Sequence, residues 1–234
     1  MKKHIVPFID STSYFILRKM NNNTDKFDLQ VDASHYNFSN YLTKRRWISL
    51  WHQIDEVLRF EPQSVLEVGA GPELARDVLT RAGVSMKTVD IDPDLAPDIV
   101  AQVQNIPCEN ASYDVVCAFQ VLEHMPYDQA LLGLQEMARI ASKGVIISVP
   151  NSKRLYRSEI NLHPRLPSLS WSLPHFNLKR RIPKPGSEHL WELDYVQCPI
   201  STFRKDLMNI GYRILREYRV PENAYHHFFI LEKI

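Results

Sequence analysis

The sequence predicts an α/β fold built on a mostly parallel sheet with both faces covered by helices. Three observations predict it. Strand-like and helix-like segments alternate from residue 64 onward, as crossover connections between parallel strands require. The strand segments YDVVCAF and GVIISVP are apolar almost throughout, the pattern of strands buried on both faces. A chain of 234 residues holds one sizeable domain of this kind with appendages, and not two large ones.

The elements follow in order. Residues 1 to about 39 are mixed, and NNNTDK reads as a surface segment. In NYLTKRRWISLWHQIDEVLRF, Trp47, Leu50, Trp51, Ile54, Val57 and Leu58 recur at helical spacing, so a helix over 40–59 is expected to pack both tryptophans onto the main domain. SVLEV is a strand, PELARDVLTRA a helix closed by Gly83, and MKTVD a second strand. DIVA is a short strand, YDVVCAF a strong one, DQALLGLQEMARIA a helix and GVIISVP another strand. Residues 151–190 carry five prolines and little periodicity. Order returns with ISTFRKDLMNIG as a helix and with YRILREYRV and HHFFILEKI as strands.

Composition narrows the setting. A hydrophobic content of 44% and a charged content of 24% are ordinary for a globular protein, and a net charge of +1 makes no whole-molecule case for a polyanion partner. Cys108, Cys117 and Cys198 are widely spaced without a CxxC pair, which favours a reduced, cytoplasmic protein. The start MKKHIVPFIDSTSYF lacks a signal peptide's apolar run, and no later run reaches membrane-spanning length. No HxxxH, close Cys/His cluster or trio of strand-end carboxylates is evident, so no metal is expected.

The loop after the first strand carries the chemistry. A dinucleotide fold wants GxGxxG, whereas Gly69-Ala70-Gly71-Pro72-Glu73-Leu74 places Leu74 at the third glycine. No GxxxxGK[ST] loop exists, and Glu67 and Glu73 would repel a pyrophosphate. A cofactor with a cationic end and no phosphate, such as S-adenosylmethionine (SAM), suits those carboxylates. The glycines let the backbone approach it closely. Asp90, ending the second strand, is placed to accept from both ribose hydroxyls.

In these residues the chain resembles the class I SAM-dependent methyltransferases, closest to the small-molecule group with an LEH motif after the fourth strand. Glu67, Gly69 and Gly71 match the ExGxG loop, Asp90 the ribose-binding acid, and YDVVCAFQVLEHMP the fourth strand and its turn. The resemblance implies a Rossmann-like three-layer sandwich with a mostly parallel seven-stranded sheet of order 3-2-1-4-5-7-6, the last strand antiparallel. It implies cofactor contacts from Glu67, Gly69, Ala70, Gly71, Asp90, Ile91, Gln102, Val103 and Gln120. The chain departs from the family in having Glu73 where a third loop glycine is common and Gln102 where an acid near the adenine amine is common. The implied organisation is an N-terminal segment and helix (1–60), a SAM-binding core (61–150), a basic Pro-rich insertion or lid (151–190) and completion of the sheet (191–234).

Methyl transfer to a hydroxyl calls for alignment of donor and acceptor and usually for a base. His189, in SEHLWELDY, is the first candidate, with Glu192 and Asp194 nearby. His124 is a second, and His163, His175, His226 and His227 stand behind them. Between Asn151 and Gly186 there are eight Lys/Arg and one acid, so this segment carries +7 and the remainder −6. Such asymmetry attracts an anionic ligand, with Arg180, Arg181 and Trp171 as substrate-binding candidates; the alternative is a solvated surface loop.

The reading is a SAM-dependent methyltransferase acting, at oxygen, on a small or carrier-linked and anionic metabolite such as a saccharide or secondary-metabolite precursor. The acceptor class rests on family analogy. An RNA or protein methyltransferase is the alternative enzyme, weakened by the near-neutral charge and the absence of an NPPY motif. A non-catalytic SAM-binding partner and a nicotinamide oxidoreductase are the alternatives of other classes. The 40–59 helix serves either active-site closure or a homodimer contact. Reversing Arg180 and Arg181 to Glu is expected to raise the acceptor's KM while SAM affinity holds; unchanged kinetics would remove the lid.

Overall fold

The computed structural model describes residues 42–71, 73–160, 169–174, 182 and 186–234. Helix α1 (Lys44–Leu58) starts at Thr43, whose side chain accepts the Arg46 N–H at 3.3 Å, the usual N-cap bond. Strand β1 (Ser64–Val68), helix α2 (Leu74–Arg81), strand β2 (Ser85–Asp90) and short β3 (Ile99–Val100) follow. Then come β4 (Tyr113–Phe119), a single 3-10 turn at Leu122–His124, α3 (Tyr127–Ile140) and β5 (Ala141–Pro150). A hairpin of β6 (Leu155–Ile160) and β7 (Leu169–Pro174) precedes α4 (Ile200–Ile210), β8 (Tyr212–Val220) and β9 (Asn223–Lys233).

The main sheet has seven strands in the order β3-β2-β1-β4-β5-β9-β8. Pairs from β3 through β5 are parallel, and β9 runs antiparallel to both β5 and β8. The Rossmann-like order and the antiparallel last strand are those expected. Alternate strand residues enter two cores. Leu66, Val68, Val116 and Ala118 pack with Leu134 and Met137 of α3 and Phe203 and Leu207 of α4. Val65, Val115 and Cys117 pack with Val57 of α1 and Ala75 and Leu79 of α2. Helices α1 and α2 therefore cover one face and α3 and α4 the other, and every central strand is sealed from water on both sides. Among the described residues, no helix is long and apolar enough to cross a membrane.

Three expectations change. Trp47 and Trp51 do not pack the helix down; they are 52% and 57% exposed. The buried face of α1 carries Ser49, Glu56 and Val57, with Leu50 and Ile54 half-buried beside it, and at 100° per residue the tryptophans point largely away from it. Ala141, expected to end a helix, opens β5 opposite Tyr113. Part of the irregular 151–190 segment is the β6–β7 ribbon, in register from Leu155↔Pro174 to Ile160↔Leu169. The six-residue alternation of LSWSLP is a weak signal beside five prolines. The chain before residue 42 lies outside the described residues.

Phe203 sits between Tyr127, Trp191 and Phe229 with ring centroids 5.2–6.3 Å away, and is fully buried. Phe203→Ala is expected to cost about 3–5 kcal/mol in urea unfolding. Trp51→Gln on the exposed flank should stay within about 0.5 kcal/mol.

Candidate functional site

Glu67 stands in β1, flanked in the sheet by Thr88 and Cys117, and is buried. Its Oε2 has no hydrogen-bond partner. Burial, with the nearby Glu73 charge adding and Arg76 opposing, pushes its carboxyl up to about 8. The chain then turns sharply. Gly69 has φ +88° and donates to Val89 O at 2.8 Å, and an added Cβ would meet Val121 Cγ2 at 2.4 Å. Gly71 has φ +48° with open space where a Cβ would stand. Glu73 itself adopts the left-handed region at φ +54°, which explains why glycine is common there in the resembled family. Arg76 holds it through an Nη1–Oε1 contact of 2.8 Å.

Asp90 ties this loop to the turn after β2. Its Oδ2 accepts Ala70 N–H and its Oδ1 accepts Asp92 N–H, both at 2.9 Å. Each oxygen keeps capacity for a second bond, as a diol requires. Ile91 is exposed next to it, and Asp92 caps the Pro93–Leu95 turn as an N-cap. Gln102 is exposed, whereas Val103 is buried against Gly133.

Beyond β4 the backbone is strained again, with Gln120 at φ +57° and its Nε2 donating to Ser148 Oγ at 3.2 Å. Glu123 follows, fully buried, with neither carboxylate oxygen partnered, and burial pushes it up to about 8. A strap from residues 188–193 lies over this turn. Leu190 N–H donates to Glu123 O at 2.9 Å, and Trp191 Nε1 donates to Leu122 O and Met125 O at 3.2 and 3.1 Å. His124 Nδ1 meets Glu188 O at 3.1 Å.

The strap brings His189 to His124, ring centroids 5.0 Å apart. His189 Nδ1 lies 3.0 Å from both Glu192 Oε1 and Tyr225 Oη, and Tyr225 donates to Glu192 at 2.6 Å. Burial lowers the affinity of His189 for a proton, but the bond to Glu192 and the surrounding carboxylates outweigh it and its pKa is raised. Ligand atoms of Glu123, His124 and His189 all fall within 4.8 Å of one another. The sequence shows no close cluster; the fold brings these three side chains together, His189 lying more than sixty positions after His124.

Glu67, Gly69, Gly71, Gln120, Glu123, His124, His189 and Tyr225 line one cavity of about 420 Å³. The loop after β1 forms one wall, Gln120–His124 and the strap another, and Thr43–Gln53 of α1 the roof. Asp90, Ile91, Gln102 and Val103 lie outside its lining. Sequence reasoning missed Tyr225 and the α1 residues Arg45 and Arg46, which belong to no motif, and named Glu192 without its link to His189. His226 lines the cavity, and burial, with the Arg46 charge adding, pulls it down to about 4. His227 is structural, bonded to Asn151 and Glu217 and stacked on Phe229. Arg180, Arg181, His163, His175 and the side chain of Trp171 lie outside the described residues.

A family model described as a methyltransferase domain matches residues 39–190. A search of curated proteins finds no match. Among solved structures, the fold is similar to a putative O-methyltransferase from Nostoc punctiforme, at 13% identity, TM-score 0.58, covering 95% of this chain and 67% of that one. It is also similar to 1,6-didemethyltoxoflavin-N1-methyltransferase of Burkholderia thailandensis, solved with 1,6-didemethyltoxoflavin and S-adenosylhomocysteine, at 15% identity, TM-score 0.55 and coverage of 98% and 92%. A SAM-dependent methyltransferase from Aquifex aeolicus gives 13% identity, TM-score 0.54 and coverage of 87% and 100%.

Gly69→Ala is expected to abolish cofactor binding in calorimetry, since the methyl meets Val121 and the backbone is left-handed. Gly69→Ala with Val121→Ala should recover part of it, and wild-type binding by the single variant would count against the tight cradle.

Proposed function

The chain belongs to the methyltransferase domain family, and from that premise we propose that it transfers the methyl group of SAM to an oxygen of a small or carrier-linked acceptor. The observation that carries the cofactor is Glu67, a buried carboxyl with an orphan oxygen beside a loop in which Gly71 leaves open space for a ligand. A buried carboxyl with an orphan oxygen suits an ammonium far better than a phosphate. When bound, SAM supplies an electrophilic methyl on a sulfonium.

The chain's own residues divide the rest. Glu67 takes the ammonium, Asp90 the ribose hydroxyls beside Ile91, and Gln120 the methionine end. Arg46 and the N-terminus of α1, on the cavity roof, suit the methionine carboxylate. The acceptor oxygen is placed against the Glu123–His124–His189 wall, where His189, held by Glu192, activates it. Enclosure aligns it with the donor, the main requirement of an in-line displacement. The toxoflavin-precursor enzyme, with acceptor and demethylated cofactor in a similar fold, supports a small-molecule reading. The basic 151–186 segment supports an anionic handle on that acceptor.

Incubation with methyl-labelled SAM and fractionated metabolites is expected to label a small molecule at oxygen; label found only in RNA or protein would transfer the reading to those substrates. Glu67 adds a pH test. Its carboxyl is neutral below about 8 in the free protein, and an ammonium favours the ionised form. S-adenosylhomocysteine binding should therefore release a proton and strengthen by up to about tenfold per pH unit between roughly pH 6 and 7.5. Glu67→Gln should flatten this slope and weaken binding by about 10–100-fold. A pH-independent affinity in the wild type would exclude the assignment.

A further inference from the structure

We infer that Glu123, His124 and His189 form a divalent-cation site at the acceptor end of the cavity. The cation's catalytic task rests on the transfer to oxygen proposed above; its binding does not.

Three features point to it. The three ligand atoms lie within 4.8 Å of one another and all three residues face the same cavity. Around a cation with bonds of about 2.0–2.2 Å they need only draw in by roughly an ångström. Both imidazoles have Nδ1 on an oxygen, His124 on the Glu188 carbonyl at 3.1 Å and His189 on the Glu192 carboxylate at 3.0 Å. A neutral ring donating from Nδ1 carries its lone pair on Nε2, and such outer bonds are how metal-ligating histidines are oriented. Glu123 is the independent sign: a fully buried carboxyl with both oxygens unpartnered. Buried polar groups of proteins are almost always bonded, and a cation is the partner that two adjacent histidines would share with it.

Two nitrogens and one oxygen suit Mn²⁺, Fe²⁺, Co²⁺ or Zn²⁺ better than Mg²⁺ or Ca²⁺. Three protein ligands leave positions open on the cavity side, which an acceptor with a hydroxyl, and best a vicinal diol, can fill. His189 then acts as a ligand and not as a free base. The bound hydroxyl loses its proton to water, its oxygen forms the new O–CH₃ bond, and the C–S bond breaks with its electron pair remaining on sulfur.

The test uses the full chain, stripped with chelator and dialysed. Calorimetry with Mn²⁺, Co²⁺ and Zn²⁺ is expected to show one site of micromolar affinity, with weaker Mg²⁺ binding, and Co²⁺ should give a visible ligand-field spectrum. His124→Gln and His189→Gln should each weaken Mn²⁺ at least tenfold while melting temperature and S-adenosylhomocysteine binding hold; His52→Gln, remote from the cluster, should leave Mn²⁺ binding unchanged. Failure of all three metals to bind at millimolar concentration overturns the site, as does binding unchanged in both histidine variants. If S-adenosylhomocysteine binds and no metal does, the site falls and the methyl-transfer reading stands. If metal binds and neither SAM nor S-adenosylhomocysteine does, the reverse holds.

Discussion

Carboxyl groups set into the cavity wall without partners are the constraint on which the rest of this structure turns. Glu67 Oε2 and both oxygens of Glu123 are buried and unbonded. Each such orphan costs on the order of 1–3 kcal/mol, a sizeable share of a domain's net stability of about 5–15 kcal/mol. For Glu67 the sign follows from its raised pKa. The folded state holds the proton more tightly, so stability falls as pH rises from the ordinary carboxyl range toward 8 and the full cost is present above it. A sheet sealed on both faces is what offsets that cost. The same sealing keeps water from satisfying the carboxyls, and the ammonium and metal ion proposed above are partners that would relieve them.

Two of the left-handed non-glycine residues lie in the same place, the others being elsewhere in the chain. Glu73 and Gln120 are left-handed without being glycine, and each flanks the cavity. Glu73 is compensated by its ion pair with Arg76, half-exposed and so worth about 1 kcal/mol or less, and Gln120 by its bond to Ser148. The turns aim the ends of β1 and β4 toward one another: Val121 fills the space that a side chain at Gly69 would need. Loop and turn are therefore a single packed unit, and neither shifts without the other.

The legible parts of the sequence were those whose signals are local. The strand order followed from alternation plus the resemblance, and Glu67, Gly69, Gly71 and Asp90 lie within one β-α-β unit, Ala70 and Asp90 being 20 residues apart and directly bonded. Trp47 and Trp51 were misread because a helical stripe shows periodicity but not which flank meets the core, and that flank is set by α1 packing on α2 and β9. The β6–β7 ribbon was missed because alternation over six residues is a weak signal beside five prolines.

At the proposed acceptor end His124, His189 and Glu192 were legible as candidates but their meeting was not, and the reason explains why a cofactor cradle is read from sequence more fully than a substrate wall. A cofactor cradle is closed by contacts inside one unit, so its residues keep fixed spacing. The proposed acceptor wall is closed by a strap that returns after the β6–β7 ribbon, anchored where Trp191 Nε1 bridges Leu122 O and Met125 O. Loop-closure entropy grows only slowly with length, so the intervening chain can vary widely at little cost. The anchor, not the spacing, decides that His189 arrives beside His124. Tyr225, from β9, then completes the triangle with Glu192 from a third part of the chain. Substrate chemistry in such an arrangement is written in tertiary contacts, and the same anchor leaves the strap free to carry different side chains to the same wall.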